Sequence, residues 1–169
     1  MIKETLGNLF EANTEALTNA VNCVGVMGKG IALQFKQRFP AEYFKTYKIA
    51  CQNGDLAIGK VQVFELENAQ ANPRFIINFP TKNHWREQSR IEDIESGLQS
   101  LAEAVEQYEI KSIAMPALGC GLGGLNYTKV KPLIEKSFAD FPNVEILLFY
   151  PIAMILKLNL KSVQPRNKL

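Results

Sequence analysis

The chain has 169 residues, enough for one domain with a three-layer core, and its 47% hydrophobic and 21% charged residues are ordinary for a globular protein. Its net charge of +2 is too small to announce a nucleic-acid binder by itself, though it does not exclude one. Cys23, Cys51 and Cys120 are widely spaced and there is one histidine, so the pattern excludes a zinc site and points to a reducing compartment.

In chain order, Met1-Ile2-Lys3-Glu4 lacks the basic-then-apolar pattern of a signal peptide, and no apolar run approaches membrane length. The expectation is a cytoplasmic protein with no membrane partner. Residues 2–6 read as a short strand closed by Gly7-Asn8, and residues 16–21 as a second strand. That second strand ends in Asn19-Ala20-Val21-Asn22 and leads into Gly25, Gly28 and Gly30. A strand feeding a glycine-rich turn and a helix start leaves outward-pointing N–H groups that suit an anion. The spacing is G-x-x-G-x-G, neither the dinucleotide fingerprint nor a P-loop, and the residues alone leave open an anion loop or a plain tight connection. Asparagine side chains, with donors and an acceptor each, suit ribose hydroxyls better than bare phosphate.

A helix over residues 30–39 puts Ile31, Phe35 and Phe39 on one face, with Lys36, Gln37 and Arg38 opposite. Pro40 ends it and starts the next helix, where Tyr43, Tyr47 and Ala50 form a stripe that Asn53-Gly54 stops. Phe35, Phe39, Tyr43, Phe44 and Tyr47 read as core and groove lining. Residues 61–64 and 74–79 are strands with Asn72-Pro73 as the turn between them, and residues 80–88 follow as a polar loop.

Ser89-Arg90-Ile91-Glu92 has the form of a capping box. The helix after it carries Ile91, Ile94, Leu98, Leu101, Val105 and Tyr108 at spacings of three and four. Residues 112–115 are a strand, residues 116–125 a second glycine loop, residues 127–139 a helix, and residues 144–150 an apolar last strand suited to a sheet covered on both faces. The alternation predicts an α/β fold with a central mixed sheet and helices on both sides. Residues 152–160 are apolar enough to pack on something, whereas residues 162–169 read as a linker.

Both glycine loops follow strands and precede helices. In an open α/β sheet such loops meet at the carboxyl ends of the strands, where ligands bind. Two of them facing one cleft suit a diphosphate, with Asn19 and Asn22 beside them for a ribose.

These residues resemble the macrodomain family, the three-layer α/β/α fold that binds ADP-ribose. The matching elements are Gly7-Asn8, Asn19-Ala20-Val21-Asn22, the loop from Gly25 to Gly30, the run Leu118-Gly119-Cys120-Gly121-Leu122-Gly123-Gly124, and a last strand ending in aromatics. The resemblance covers residues 1–150, leaving 151–169 as a C-terminal extension or linker. Residues 24–36 (VGVMGKGIALQFK) and 78–86 (NFPTKNHWR) look most like the DarG-type branch of the family. Members of that branch remove ADP-ribose from DNA bases and are antitoxins to DarT-type DNA ADP-ribosyltransferases.

The resemblance implies an ADP-ribosyl glycohydrolase whose substrate is ADP-ribosylated, single-stranded DNA, with ADP-ribose as product ligand, a DarT-type toxin as partner and no cofactor or metal. The alternatives are a reader module without turnover and a hydrolase of ADP-ribosylated protein. It implies that Asn8, where many macrodomains have an aspartate, and Leu9 lie at the adenine, that Asn22 and the run Gly28, Lys29, Gly30 and Ile31 lie at the distal ribose, and that Thr81 lies nearby. Leu118, Gly119, Cys120, Gly121, Leu122 and Gly123 would hold the diphosphate, and Tyr150 or Phe149 would flank the adenine.

Lys82 matches the lysine on which related hydrolases rely and is the catalytic residue implied; its own surroundings in sequence suggest only a solvated loop lysine. At the distal ribose its amine would act either as a nucleophile on the anomeric carbon or, protonated, as a donor to the leaving base. Hydrolases of glutamate-linked ADP-ribose carry an aspartate at the position of Gly123, and this departure favours the DNA-directed branch. Cys120 reads as a small filler and His84 as a hydrogen-bonded loop residue. Trp85 either stacks on a base or packs under its own loop. His84, Trp85 and Arg86 are the implied DNA contacts, with Lys36, Arg38 and Arg90 as a basic rim.

Overall fold

Along Ala16–Asn22 (β2) the side chains alternate between two apolar layers, Ala16 facing one and Leu17 and Val21 the other. The same period of two recurs in Phe75–Lys82 (β4), where Phe75, Ile77 and Phe79 face one layer and Ile76 the other. In Ser112–Pro116 (β5), Ile113 and Met115 oppose Ala114, and in Glu145–Phe149 (β6), Ile146 and Leu148 oppose Leu147. Ile2–Thr5 (β1) and Gln62–Glu65 (β3) complete a six-stranded sheet in the order β1-β6-β5-β2-β4-β3. Every pairing is parallel except that of β3 with β4. The computed structural model describes residues 1–67, 70–151, 154 and 156.

Helices cover both faces. Gly30–Arg38 (α1) and Ala41–Asn53 (α2) bury Phe35, Tyr43, Tyr47 and Ala50 on one side. Ile91–Gln107 (α3) and Tyr127–Ser137 (α4) bury Ile94, Leu98, Leu101, Val130 and Ile134 on the other. Each such aliphatic side chain contributes about 1.5–3 kcal/mol on burial, so the two layers hold the sheet between them. Gly54 ends α2 in the left-handed conformation that a C-cap requires (φ 73°). At Gly97, a Cβ would run into the ring of Phe79, so α3 lies against β4 at a distance that only glycine permits.

Because five strands run parallel, their carboxyl ends share one edge, and the connections from β2 to α1, β4 to α3 and β5 to α4 all lie there. The structure thus has the expected mixed sheet between two helical layers. It departs from the expectations in two places. Residues 80–82 belong to β4 rather than to a loop, because the end of β2 supplies their partners: Val21 pairs with Pro80 and Asn22 with Lys82, with a register shift that skips Thr81. The capping box does not form. Arg90 is the N-cap of α3 and makes no side-chain cap, Glu92 pairs with Arg90 instead (3.7 Å), and Ser89 is buried. The expectations for residues 152–169 fall, apart from Met154 and Leu156, outside the described residues.

Candidate active site

The first glycine loop is shaped by Asn22. Its Oδ1 accepts from Val24 N (3.1 Å), Val26 N (3.3 Å) and Tyr47 Oη (3.0 Å), while its Nδ2 donates to Val26 O (2.7 Å). Tyr47 Oη also reaches the Asn22 carbonyl (2.8 Å), so α2 braces the turn from below. The loop then exposes Gly28, Lys29 and Gly30 and delivers the start of α1, where Lys29 is the N-cap and no side chain caps the helix. Ile31 is half-buried behind it. An uncapped first turn leaves N–H groups open to an anion, and Gly30 (φ +59°) permits the bend that presents them.

The second loop, residues 117–126, is closed by Cys120 N to Ala117 O (3.0 Å), Gly124 N to Gly121 O (3.1 Å) and Leu125 N to Gly119 O (2.9 Å). The N–H groups of Gly119, Gly121, Leu122 and Gly123 donate to no acceptor among the described residues. Leu118 is core, and burial pushes the Cys120 thiol up to about 11, so the sulfur is protonated at neutral pH and serves as filler.

The two loops meet. Leu122, 68% exposed, reaches across so that a Cβ on Gly30 would lie 3.5 Å from its Cδ1. The loop after β4 binds both of them through the backbone: Cys23 N donates to Asn83 O (2.9 Å) and Ser89 N to Gly123 O (2.9 Å). Lys82 stands at the end of β4, half-buried, opposite Asn22 in register. The register shift beside it is the kind of irregularity that re-aims a side chain at a strand end. Among the described residues Lys82 makes no ion pair.

Beyond Lys82, His84 Nδ1 accepts from Arg86 N (3.1 Å) and Glu87 N returns to His84 O (3.0 Å), which makes this a tight turn. Trp85, 46% exposed, has the His84 ring at 5.0 Å and the Arg86 guanidinium 4.5 Å from its centre.

At the far end, Glu4 gathers two aromatic hydroxyls: Tyr127 Oη (2.8 Å) and Tyr150 Oη (2.9 Å) donate to it, and Lys131 pairs with it (3.1 Å). Burial pushes the Glu4 carboxyl up, but these hydrogen bonds and the Lys131 charge outweigh it and hold the group below its ordinary value. Beside this cluster is a cavity of about 350 Å³ lined by Cys120, Leu125, Asn126, Tyr127, Thr128, Pro151 and Met154. Asn8 is exposed, with its Oδ1 taking Phe10 N (3.1 Å), and the Leu9 side chain is core.

Besides Leu9 and Leu118, whose side chains are core, and Asn22, whose carboxamide is bonded within the first loop, two more of the expected contacts lie inside the protein. Thr81 is buried and its hydroxyl donates to Val21 O (3.4 Å). Asn19 is 0% exposed, and its Nδ2 donates to Tyr43 Oη (2.8 Å), which donates to Asn78 Oδ1 (2.5 Å). Asn78 Nδ2 in turn donates to Gln62 Oε1 (2.9 Å). Asn19 therefore braces β2 against β4 and does not reach the cleft surface, because three further residues separate it from the strand end. Tyr43→Phe is expected to lower stability by about 1–3 kcal/mol, since it takes the partner from the buried Asn19 Nδ2 and Asn78 Oδ1; a change below about 0.5 kcal/mol in urea denaturation would count against the network.

Sequence reasoning missed Ser89, Tyr47 and Glu4 as supports of the site. Ser89 was hidden by its cap-like spacing, and Tyr47 by its place in an apolar stripe. A carboxylate on a strand beside two tyrosines far along the chain gives no local signal.

The profile of the Macro domain family matches residues 18–134, a span that holds both loops and Lys82. The chain belongs to the macrodomain family. As a macrodomain it is 45% identical over 152 residues, 90% of the chain, to a DNA ADP-ribosyl glycohydrolase of Thermus aquaticus, covering 42% of that protein. Among solved structures it is similar to the macrodomain of Mycobacterium tuberculosis DarG, with a TM-score of 0.85 and 45% identity, covering 89% of this chain and 98% of that one. It is also similar to Thermosipho africanus DarTG in complex with ADP-ribose, with a TM-score of 0.81 and 34% identity, over 89% of this macrodomain and 42% of that chain. The macrodomain thus spans about two fifths of the length of the curated relatives it matches.

Proposed function

We propose that this macrodomain is the catalytic part of a DNA ADP-ribosyl glycohydrolase, which releases ADP-ribose from bases in single-stranded DNA and so opposes a DarT-type transferase in the cytoplasm. The observation that carries the reading is the meeting of two amide-lined loops, with Lys82 held opposite Asn22 at their junction. Similarity to a DNA ADP-ribosyl glycohydrolase of Thermus aquaticus supports the same activity, and similarity to a DNA ADP-ribosyl transferase-DNA ADP-ribosyl glycohydrolase fusion protein of Thermosipho africanus supports the same partner.

On this reading the free N–H groups of Gly119, Gly121, Leu122 and Gly123 take the diphosphate. The run from Gly28 to Ile31 takes the distal ribose. The hollow beside Tyr127, whose ring lies 5.8 Å from that of Tyr150, takes the adenosine end, and Asn8 and the Leu9 backbone are assigned to the adenine. Trp85 and Arg86 follow Lys82 in the loop after β4, where the Trp85 ring is exposed to stack on a base beside the modified one, and such a contact contributes about 1–3 kcal/mol.

In the reaction the glycosidic bond between the anomeric carbon and the base breaks, a water hydroxyl joins the carbon, and the departing base takes up a proton. Lys82 serves this step in one of two ways. As an ammonium it donates to the base; as a free amine it joins the anomeric carbon first and water displaces it afterwards. Backbone amides around the diphosphate hold the sugar still while this happens, which is where positioning contributes to rate.

The test is incubation with ADP-ribosylated single-stranded DNA and, separately, with glutamate-modified protein. Release of ADP-ribose from the DNA alone is the expected result. Release from the protein alone, or tight ADP-ribose binding without release from either, would overturn the proposal.

A further inference from the structure

The helices α1 and α2 differ in charge from α3 across the sheet, while α4 beside α3 carries Lys129, Lys131 and Lys136 against Glu135. Between residues 29 and 52, the span of α1 and most of α2, stand Lys29, Lys36, Arg38, Lys45 and Lys48 against a single carboxylate, Glu42. On the opposite layer, α3 carries Glu92, Asp93, Glu95, Glu103 and Glu106 and no lysine or arginine. All five cations of the first group are exposed, and none takes part in an ion pair among the described residues.

Three of the cations rest on aromatic rings instead. Lys36 Nζ is 4.1 Å and Lys48 Nζ 5.8 Å from the centre of the same ring, that of Phe44, and the Arg38 guanidinium is 4.5 Å from that of Phe10. Two ammonium groups held over one ring with no carboxylate paired to either repel each other, and an anion between them relieves that repulsion. Lys48 also joins this patch to the cleft, because a Cβ on Gly25 would lie 3.5 Å from Lys48 Cγ. The cationic face therefore begins at the first glycine loop, the side on which the reading above places the distal ribose and the base to be released.

Resting on that reading, we infer that the DNA strand leaves the cleft over α1 and α2, with its phosphates tracking Lys48, Lys36 and Arg38, and is turned away from α3 by its carboxylates. Cations interleaved with aromatic rings are the surface chemistry that follows a single-stranded backbone without reading sequence. Phosphate contacts of this kind show themselves as a salt dependence, with a log–log slope of about 0.7 for each phosphate neutralised on a single strand.

The experiment compares kcat/KM on a modified oligonucleotide and on a mononucleoside carrying the same modification, each across a salt series. Lys36→Gln, Arg38→Gln and Lys48→Gln are combined in one triple variant. It is expected to lower kcat/KM on the oligonucleotide about tenfold or more and to reduce the salt slope by about 2. Its turnover of the mononucleoside is expected to be unchanged, which also reports that the fold is intact. A control variant with the same loss of charge far from the cleft, Lys3→Gln with Lys111→Gln and Lys136→Gln, is expected to keep the slope.

An unchanged slope in the first variant, an equal fall in the control, or an equal loss on both substrates would overturn the assignment of the path. Failure of the unaltered protein to act on either substrate would instead overturn the hydrolase reading. In that event the same salt series on binding of an unmodified oligonucleotide still reads the surface directly, and a slope insensitive to the three substitutions rejects it.

Discussion

Lys82→Ala is expected to lose release of ADP-ribose from DNA by roughly 10²–10⁴-fold, the range that a positioned proton donor contributes, while ADP-ribose affinity stays within about twofold. The separation follows from the geometry. The groups placed to hold the diphosphate are the backbone amides of Gly119, Gly121, Leu122 and Gly123 and the open first turn of α1, none of which the substitution touches. Lys82 itself ends a strand whose preceding residues are fixed by the pairing of Val21 with Pro80, so truncation removes an amine without moving the backbone. Single-turnover kinetics on modified DNA, with calorimetry for free ADP-ribose, check both halves; full turnover in the variant refutes the role. Reduction with cyanoborohydride during turnover separates the two forms of the mechanism, because a covalent sugar adduct on Lys82 is trapped and a hydrogen-bonded ammonium is not.

Gly123→Asp is expected to open the second loop rather than to supply a new carboxylate. A Cβ at this position runs into the Ser89 hydroxyl and lies 2.5 Å from Gly119 O. Gly119 O is already the acceptor for Leu125 N (2.9 Å), and Gly123 O accepts from Ser89 N (2.9 Å), so neither neighbour can withdraw without breaking the loop. Overpacking of this kind costs about 1–3 kcal/mol of stability. Displacing two amides from a charged ligand costs about 1.5–3 kcal/mol each, so ADP-ribose affinity is expected to fall by roughly 100-fold or more. Gly123→Ala should show most of the same loss, which assigns it to shape rather than charge. Ser89→Gly on the Gly123→Ala background should not restore binding, because the Gly119 carbonyl remains. Near-normal affinity in Gly123→Ala by calorimetry would contradict the placement of the loop.

The elements of regular structure were legible because each has a strong local period. The stripe of Ile94, Leu98, Leu101 and Val105 specifies α3, and the glycines of residues 116–125 announce a loop between a strand and a helix. Residues 80–82 were not legible as strand, since Pro-Thr-Lys is polar and breaker-rich and only the end of β2 makes it pair. Ser89 misled for the opposite reason: its spacing to Glu92 satisfies a local rule, but Gly123 O takes its amide and turns it inward. Asn19 and Asn22 look alike in sequence, three apart with an alanine and a valine between them. Both are buried, and their partners separate them: Asn22 folds the first glycine loop on itself, whereas Asn19 ties β2 to the Tyr43 hydroxyl, a pairing that only the assembled sheet and α2 reveal.

The carboxamides of Asn19 and Asn78 are paired across β2 and β4, and one phenol serves both. Sliding either strand by a single position would set that phenol against hydrocarbon and strand both amides in a dry interior, at about 1–3 kcal/mol for each group left unmatched. Lys82 lies four residues beyond Asn78 on the same rigid strand. Its location is thus dictated from the middle of the molecule, by a polar key that tolerates one alignment, and accuracy at the rim is inherited from intolerance at the centre.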